Sequence, residues 1–307
     1  MKRLILLPLA LIGAAPPVPA PSPNEIVAAA KTEEWEAIAP SDLLVMDLAA
    51  DRDAKPRRVV IQLMPAPFSQ GWIGNIRKLA AAKWWDGTSV NRVQDNYVVQ
   101  WGDVTEKKAL PDELAKVPQD QYEASRFTSY GVHAGLSGSE RLVSLPIEKD
   151  IYSSKTGFWG GWPVATGERY SIWPVHCYGT VGVGRNMPPD TGTGAELYTV
   201  IGHAPRHLDR NIALVGRVIS GIEHLSSLPR GTGDLGFYKT AEERVPILSV
   251  RIGDQVSGLP RYEYLSTDSA SFAAYADARA NRRDEFFITP AGGADICNIP
   301  VPLRVGK

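Results

Sequence analysis

The chain has 307 residues and carries 33 Lys plus Arg against 34 Asp plus Glu, a formal net charge of -1 at pH 7. That balance, with no basic run, gives no electrostatic reason to expect nucleic acid or an anionic membrane as partner. No stretch reaches the roughly 18 uninterrupted apolar residues that a membrane-spanning helix needs, so no membrane span is expected.

The first residues, MKRLILLPLALIGAA, place Lys2 and Arg3 ahead of a short apolar run and then small residues, the layout of a secretory signal peptide. The mature protein is therefore expected in the periplasm or outside the cell. Residues 1–23 are read as signal peptide plus a Pro/Ala tether, with cleavage after either Ala15 or Ala20. The remainder, about 280 residues, allows one large domain or a smaller domain with additions.

Residues 24–54 open with a helix-like patch, NEIVAAAKTEEWEAI, and run into the apolar DLLVMDLA, which suits a strand. RRVVIQLMP reads as a strand because β-branched residues precede a proline stop. Ile73, Ile76, Leu79, Ala80 and Lys83 then recur at spacings of three and four, predicting an amphipathic helix over Phe68–Lys83. WDGTSVNRV and NYVVQWGD alternate at period two across a turn at Gln94–Asn96, which predicts two paired strands.

Residues 104–175 mix charges with Pro, Gly and Ser and show no sustained period. They are expected to form a long irregular insertion with one helix near Asp112–Ala124, and Trp159, Trp162 and Trp173 are expected to pack against the rest of the molecule. Strand-like runs return in HCYGTVGVGR, AELYTVIG and IALVGRV, followed by a short helix in SGIEHLSSL and a strand in RVPILSVRIG. SASFAAYADARANRR reads as a helix and DEFFITP as a last short strand. Many short strands and few helices point to a closed or nearly closed β architecture. Cys177 and Cys297 lie 120 positions apart; a disulfide and a pair of buried thiols both fit an exported chain.

Arg92 and Gln100 stand out, because they put a permanently charged fork and a side-chain amide on strands otherwise suited to packing. Two blocks around them and beyond carry a resemblance. The first is VVIQLMPAPFSQGWIGNIRKLAAAKWWDGTSVNRVQDNYVVQWGD, Val59–Asp103, and the second is GTVGVGRNMPPDTGTGAELYTVIGHAPRHLDRNIALVGRVISGIEHL, Gly179–Leu225. Together they cover about 90 residues and resemble, in order, the cyclophilin family of peptidyl-prolyl cis/trans isomerases. The resemblance implies a mainly β fold, a closed antiparallel barrel of about eight strands capped by two helices. It implies a domain over residues 55–229 with the insertion 104–175 inside it, an N-terminal extension at 24–54, and a C-terminal extension at 230–307 packing on the barrel.

It also implies roles. Arg92 matches the family's catalytic arginine and Gln100 its substrate-orienting glutamine. Tyr97 and Val98 match the pair beside the proline ring, Tyr198 the floor of that slot, and Leu208 its apolar wall. His207 falls at the rim, and Gly184 near the small residue that contacts substrate backbone. Spacing alone puts Val98 and Gln100 on one strand face. There are departures: tyrosine at two phenylalanine positions, Glu196 where the family has Gln, His207 where it has Trp or Phe, and Ile212 where many members have His. Each tyrosine hydroxyl needs a partner if buried. The expected substrates are proline-containing polypeptides, exported or unfolded, with no cofactor.

Rival readings are weaker. His176, Cys177, His203 and His207 invite a zinc site and a metal-dependent hydrolase, but Pro205 breaks the helix that would align the last two, so no metal is expected. GLSGSE lacks the second glycine of a hydrolase elbow and reads as a turn. The glycines of GTVGVGRN and TGTG lack the lysine and spacing of a phosphate loop. The main alternative keeps the groove but not the turnover: a proline-peptide-binding module or chaperone on the same fold.

Overall fold

The structure is a computed structural model that describes residues 20–125, 143–144, 150–168 and 171–306. The signal-peptide reading falls almost wholly on residues 1–19, and GLSGSE on 135–140, both outside the described residues.

Eight strands close a barrel: β1 (Leu43–Leu48), β2 (Arg57–Leu63), β3 (Ser89–Val93), β4 (Val98–Gly102), β5 (Thr180–Val183), β6 (Leu197–Val200), β7 (Leu214–Ser220) and β8 (Val245–Ile252). The order around the barrel is β5-β6-β4-β3-β8-β1-β2-β7, with β7 pairing back to β5 and every pair antiparallel. Period-two alternation sorts the side chains. On β4, Val99 and Trp101 enter the barrel core, while Val98 and Gln100 take the outer face.

The four described α-helices are α1 (Pro23–Ala29), α2 (Gln70–Ala81), α3 (Glu223–Ser226) and α4 (Ala270–Ala280). Helix α2 realises the predicted three-and-four spacing, burying Trp72, Ile73, Ile76 and Leu79 against the barrel core. With Trp85 and Trp101 fully buried beside Trp72, this core is closed by large aromatics, and truncating any one of them to Ala costs about 3–5 kcal/mol.

Several expectations are corrected. The barrel does not stop at residues 55–229: β1 comes from the N-terminal stretch and β8 from the C-terminal one. Without them β2 and β3 would each present an unpaired edge, so closure requires both. Within the insertion, part of the described chain is regular. Short strands at 124–125, 143–144, Lys155–Trp159, Trp162–Thr166 and Ser171–Pro174 form a five-stranded antiparallel sheet, each too brief to register as a period. Near Asp112–Ala124 only a 3-10 turn forms, at Gln119–Tyr122, because Pro111 and Pro118 interrupt any helix. DEFFITP is turn and bend, with Phe286 83% and Ile288 100% exposed; the third strand of the small sheet is instead Leu303–Val305.

That small sheet joins Trp35–Ala37, Tyr262–Leu265 and Leu303–Val305, and α4 covers it with Phe272 and Tyr275 to make a second core. Cys177 and Cys297 are disulfide-bonded within it. Trp159 and Trp162 pack into the barrel core and Trp173 into the second one. Between Trp159 and Trp162 a Gly-Gly turn carries the hairpin tip to the barrel. A Cβ on Gly161 (φ 81°) would come within 2.5 Å of the Tyr264 ring, and the Gly161 carbonyl accepts from buried Arg217 at 2.7 Å. Among the described residues no helix is long and apolar enough to cross a membrane.

Candidate functional site

Arg92 and Gln100 face each other across β3 and β4, and the ladder shifts between Val90 and Arg92, a bulge of the kind that re-aims side chains near functional sites. Arg92 Nη1 donates to Gln100 Oε1 at 3.2 Å, Nη2 donates to Gln94 Oε1, and Nε donates to the Leu235 carbonyl at 2.8 Å. The guanidinium also lies 5.9 Å from the Tyr97 ring centroid and 5.2 Å from that of Phe237. No carboxylate pairs with it among the described residues. Burial draws the Arg92 pKa below its ordinary value, and facing Tyr97 opposes that pull; the group stays cationic at neutral pH.

Behind Gln100 stands Glu196. Its carboxylate accepts the Asp103 backbone N–H at 2.7 Å and hydrogen-bonds the side chains of Gln100 and Asn91. Gly102 makes room for it, since a Cβ there would lie 1.9 Å from Glu196 Oε1. Glu196 therefore fixes the Gln100 amide with its Nε2 inward and its Oε1 toward Arg92.

Burial pushes the Glu196 carboxyl up from 4.5 to about 7, against the pull of its hydrogen bonds. Because the folded value exceeds the unfolded one, the native state holds this proton more tightly. Stability from this group is complete below pH 4.5 and lost as pH rises through about 7. Glu196→Gln keeps the acceptor for Asp103 and removes the titration. The variant is expected to equal wild type at pH 4.5 and to exceed it by about 3 kcal/mol at pH 8. Urea unfolding of both proteins at the two pH values checks this; parallel pH curves would contradict it.

On the other side of Gln100 is an apolar patch. Val98, Tyr198 and Val200 are buried together, with Tyr97 and Ile212 packed half-exposed against them. Register explains the grouping, since Tyr198 lies opposite Gln100 and Val200 opposite Val98. The exposed His207 ring stacks on Tyr97 at 6.3 Å. Leu208, half-buried on the turn Arg206–Leu208, accepts the Ile212 amide at 3.2 Å. Gly184 completes the rim: a Cβ there would sit 3.5 Å from Gln100 Nε2. The structure thus gathers Arg92, Tyr97, Val98, Gln100, Gly184, Tyr198 and His207 into one area, with Leu208 beside Ile212 at its border. Val98 and Tyr198, 3% and 4% exposed, form a floor rather than an open surface. A cavity of about 480 Å³ adjoins this area through Gln100, Gly184 and Phe237 and is lined further by Trp84 and Glu196.

The Tyr198 hydroxyl finds the partner its burial requires: His176 Nε2 at 2.9 Å, with His176 Nδ1 at 2.9 Å from Asp209 Oδ1. The three side chains have the order of a hydrolase triad, but the phenol oxygen is buried over Gly182, where a Cβ would come within 2.3 Å of it, so no substrate carbonyl can reach it. The zinc grouping dissolves as well. Both His176 nitrogens are engaged, Cys177 is in the disulfide, and His203 and His207 are exposed. Among the described residues no cluster of three or more His, Cys, Asp or Glu could hold a metal ion.

Sequence reasoning missed Gln94, Leu235 and Phe237 as the groups that hold Arg92, and Asp209 as a partner of His176. Gln94 sat in the predicted turn, two residues from Arg92, where a strand-end amide is within reach. Leu235 and Phe237 lie in a glycine-rich loop far along the chain and carry no local signal.

A family model for "Cyclophilin type peptidyl-prolyl cis-trans isomerase/CLD" matches residues 55–252. Among solved structures, the cyclophilin AquaCyp293 from Hirschia baltica is similar with TM-score 0.66 at 21% identity, over 92% of this chain and 98% of that one. That likeness concerns the fold. A cyclophilin-type peptidyl-prolyl cis-trans isomerase from Cryptosporidium parvum, crystallised in the presence of the dipeptide Ala-Pro, aligns over 68% of this chain and 98% of that one at 11% identity with TM-score 0.38, too low to speak to the fold. No curated protein matches the chain.

Proposed function

The chain belongs to the family of cyclophilin-type peptidyl-prolyl cis-trans isomerases, and from that premise we propose that it catalyses isomerisation of Xaa-Pro bonds through Arg92 and Gln100. The observation that carries this reading is the Arg92–Gln100 pair at the edge of an apolar patch. Rotation about an Xaa-Pro bond is held back by about 18–20 kcal/mol of amide resonance. A rigid cationic fork directed at the prolyl nitrogen favours the pyramidal, single-bonded geometry, and an amide beside it holds the swinging carbonyl. Tyr97, Ile212 and Leu208 over the floor of Val98 and Tyr198 grip the proline ring so that only the other side turns. No covalent step is required, and a nucleophile within reach is not needed.

The clients are exported or unfolded polypeptides with accessible prolines. The signal-like start of the chain supports export, and so does the Cys177–Cys297 pairing, which persists in an oxidising compartment.

One observation favours a second reading, a module that holds proline segments without turning them: the three guanidinium nitrogens of Arg92 already have protein partners. The test is exchange NMR on an Ala-Pro-containing peptide, whose uncatalysed interconversion takes tens to hundreds of seconds. Substoichiometric protein is expected to bring cis and trans signals into exchange. Binding of the peptide with unchanged interconversion overturns the isomerase in favour of the holding module.

A further inference from the structure

Beneath the patch runs a buried chain of polar groups that the proposed chemistry does not use. Tyr198 Oη meets His176 Nε2 at 2.9 Å; His176 Nδ1 and its backbone N–H meet Asp209 Oδ1 at 2.9 and 3.0 Å. Arg206 Nε donates to Asp209 Oδ2 at 2.7 Å, and Arg206 Nη2 donates to Asp150 Oδ2 at 2.9 Å. The side chains of His176, Asp209, Arg206 and Asp150 are 1%, 5%, 2% and 7% exposed. The chain begins in the floor of the site, passes under the turn that carries His207 and Leu208, and ends in the insertion.

Its internal logic is directional. The carboxylate facing Nδ1 puts the imidazole proton there, which leaves Nε2 as acceptor for the Tyr198 hydroxyl. Burial alone raises the Asp209 pKa, but its bonds to His176 and Arg206 outweigh that and hold it below its ordinary value. Assembling four buried polar or charged side chains is costly unless each is satisfied, and an apolar ring in place of Tyr198 would need no partner. Two of its links also touch something that shapes the site. Tyr198 is registered against Gln100, and Asp209 directly follows His207 and Leu208 in the chain.

The geometry points to His176 and Asp209 as positioning residues that fix the Tyr198 ring and the His207–Leu208 turn, tying the proline-gripping floor to the insertion through Arg206 and Asp150. This rests on the reading of Tyr198 as the floor of a proline site.

The test is a double-mutant cycle of His176→Phe and Tyr198→Phe, read in kcat/KM and in Kd for the Ala-Pro-containing peptide. With Tyr198 present, His176→Phe is expected to weaken kcat/KM about tenfold, the scale set by one buried hydroxyl left without a partner. The loss should appear in KM and Kd rather than kcat. In the Tyr198→Phe background the same substitution is expected to change them less than about twofold, because the hydroxyl it positioned is gone while Arg206 still holds Asp209 and the turn beside it. Equal losses in both backgrounds would mean that His176 acts independently of Tyr198, and overturn the inference while leaving the isomerase reading intact. If wild type binds the peptide without turning it over, the isomerase reading fails and the cycle in Kd still decides the positioning role. Absence of binding overturns both. Should His176→Phe not fold, the ¹⁵N spectrum of the His176 ring decides: Tyr198→Phe is expected to shift Nε2 and leave Nδ1 protonated, and an unmoved Nε2 overturns the assignment.

Discussion

Arg92→Ala is expected to lower kcat/KM for an Xaa-Pro peptide by about 100- to 1000-fold, the cost of removing one preorganised donor from a developing charge. Three features make the loss this large. The guanidinium is half-buried, so its electrostatic effect on a bound amide is less screened than at an open surface. It is held on both sides, by Gln100 and Gln94 at its Nη atoms and by the Leu235 carbonyl at Nε, so little reorganisation is needed as the amide twists. Arg185, which lines the adjoining cavity, does not replace it, since its guanidinium is engaged with the Asn211 and Asn186 carbonyls. The substitution should act on kcat far more than on Kd, because the donor matters only once the prolyl nitrogen gains its lone pair. Arg92→Lys keeps a positive charge but not the fork, and should recover only part of the rate. Folding should be little affected, since the oxygens left without Arg92 can turn to water: Leu235 is 66% exposed and Gln94 is half-buried. Exchange NMR with thermal melts of the same samples checks both halves. A variant that turns over at the wild-type rate removes Arg92 from the mechanism.

How much of this could be read from the chain depends on how far apart the interacting residues lie. Strands β3 and β4 announce themselves because five-residue runs alternate across a short turn, so the Arg92–Gln100 pairing is a local consequence of register. Helix α2 is equally legible, since its buried face repeats at three and four. The closure of the barrel by β8 on β1 was not, because the pairing of residues 43–48 with 245–252 spans about 200 positions and leaves no periodic trace. The insertion's sheet escaped for a different reason: strands of two to five residues are shorter than the window in which alternation is detectable. At the site, Arg92 and Gln100 stood out as polar groups on packing strands, and the family resemblance gave them and Tyr198 their roles. The groups that hold them did not: Phe237 and Asp209 are ordinary in sequence and gain meaning only from a loop and a turn that fold back. His176 shows the hazard of composition alone, since next to Cys177 it suggests a metal ligand, whereas burial makes it the acceptor for a phenol.

Opening the Cys177–Cys297 bridge is expected to cost about 4–5 kcal/mol on chain-entropy grounds, because the two residues are 120 positions apart. The barrel core itself does not depend on the bridge: its buried side chains come from the barrel strands, α2 and the turn after it, the insertion and the α3 segment, and none lies beyond Ile252. What the bridge fastens is the second core, where Ile296 and Ile299 lie beside Cys297 and where the preceding stretch contributes little, since Phe286 and Ile288 are exposed. With the bridge cut, residues 281–306 keep that apolar contact, the short pairing of Leu303–Val305 on Tyr262–Leu265, the Arg304–Glu263 ion pair and the hydrogen bonds of Tyr275 and Arg279 to the Pro300 and Asn298 carbonyls, against the entropy of ordering them. The Cys177→Ser/Cys297→Ser double variant should therefore unfold at much lower urea concentration than wild type, and wild type with reductant should move the same way. The effect on turnover at 25 °C should be smaller than that on stability. The bridge reaches the site through His176, whose carbonyl oxygen lies 3.7 Å from Cys297 Sγ and whose ring holds Tyr198, and reaches β5 through the Cys177 carbonyl, which accepts from the Thr180 hydroxyl at 2.7 Å. Equilibrium unfolding of the three samples alongside exchange NMR separates these contributions; a double variant within about 1 kcal/mol of wild type would show that the second core holds without its covalent tie.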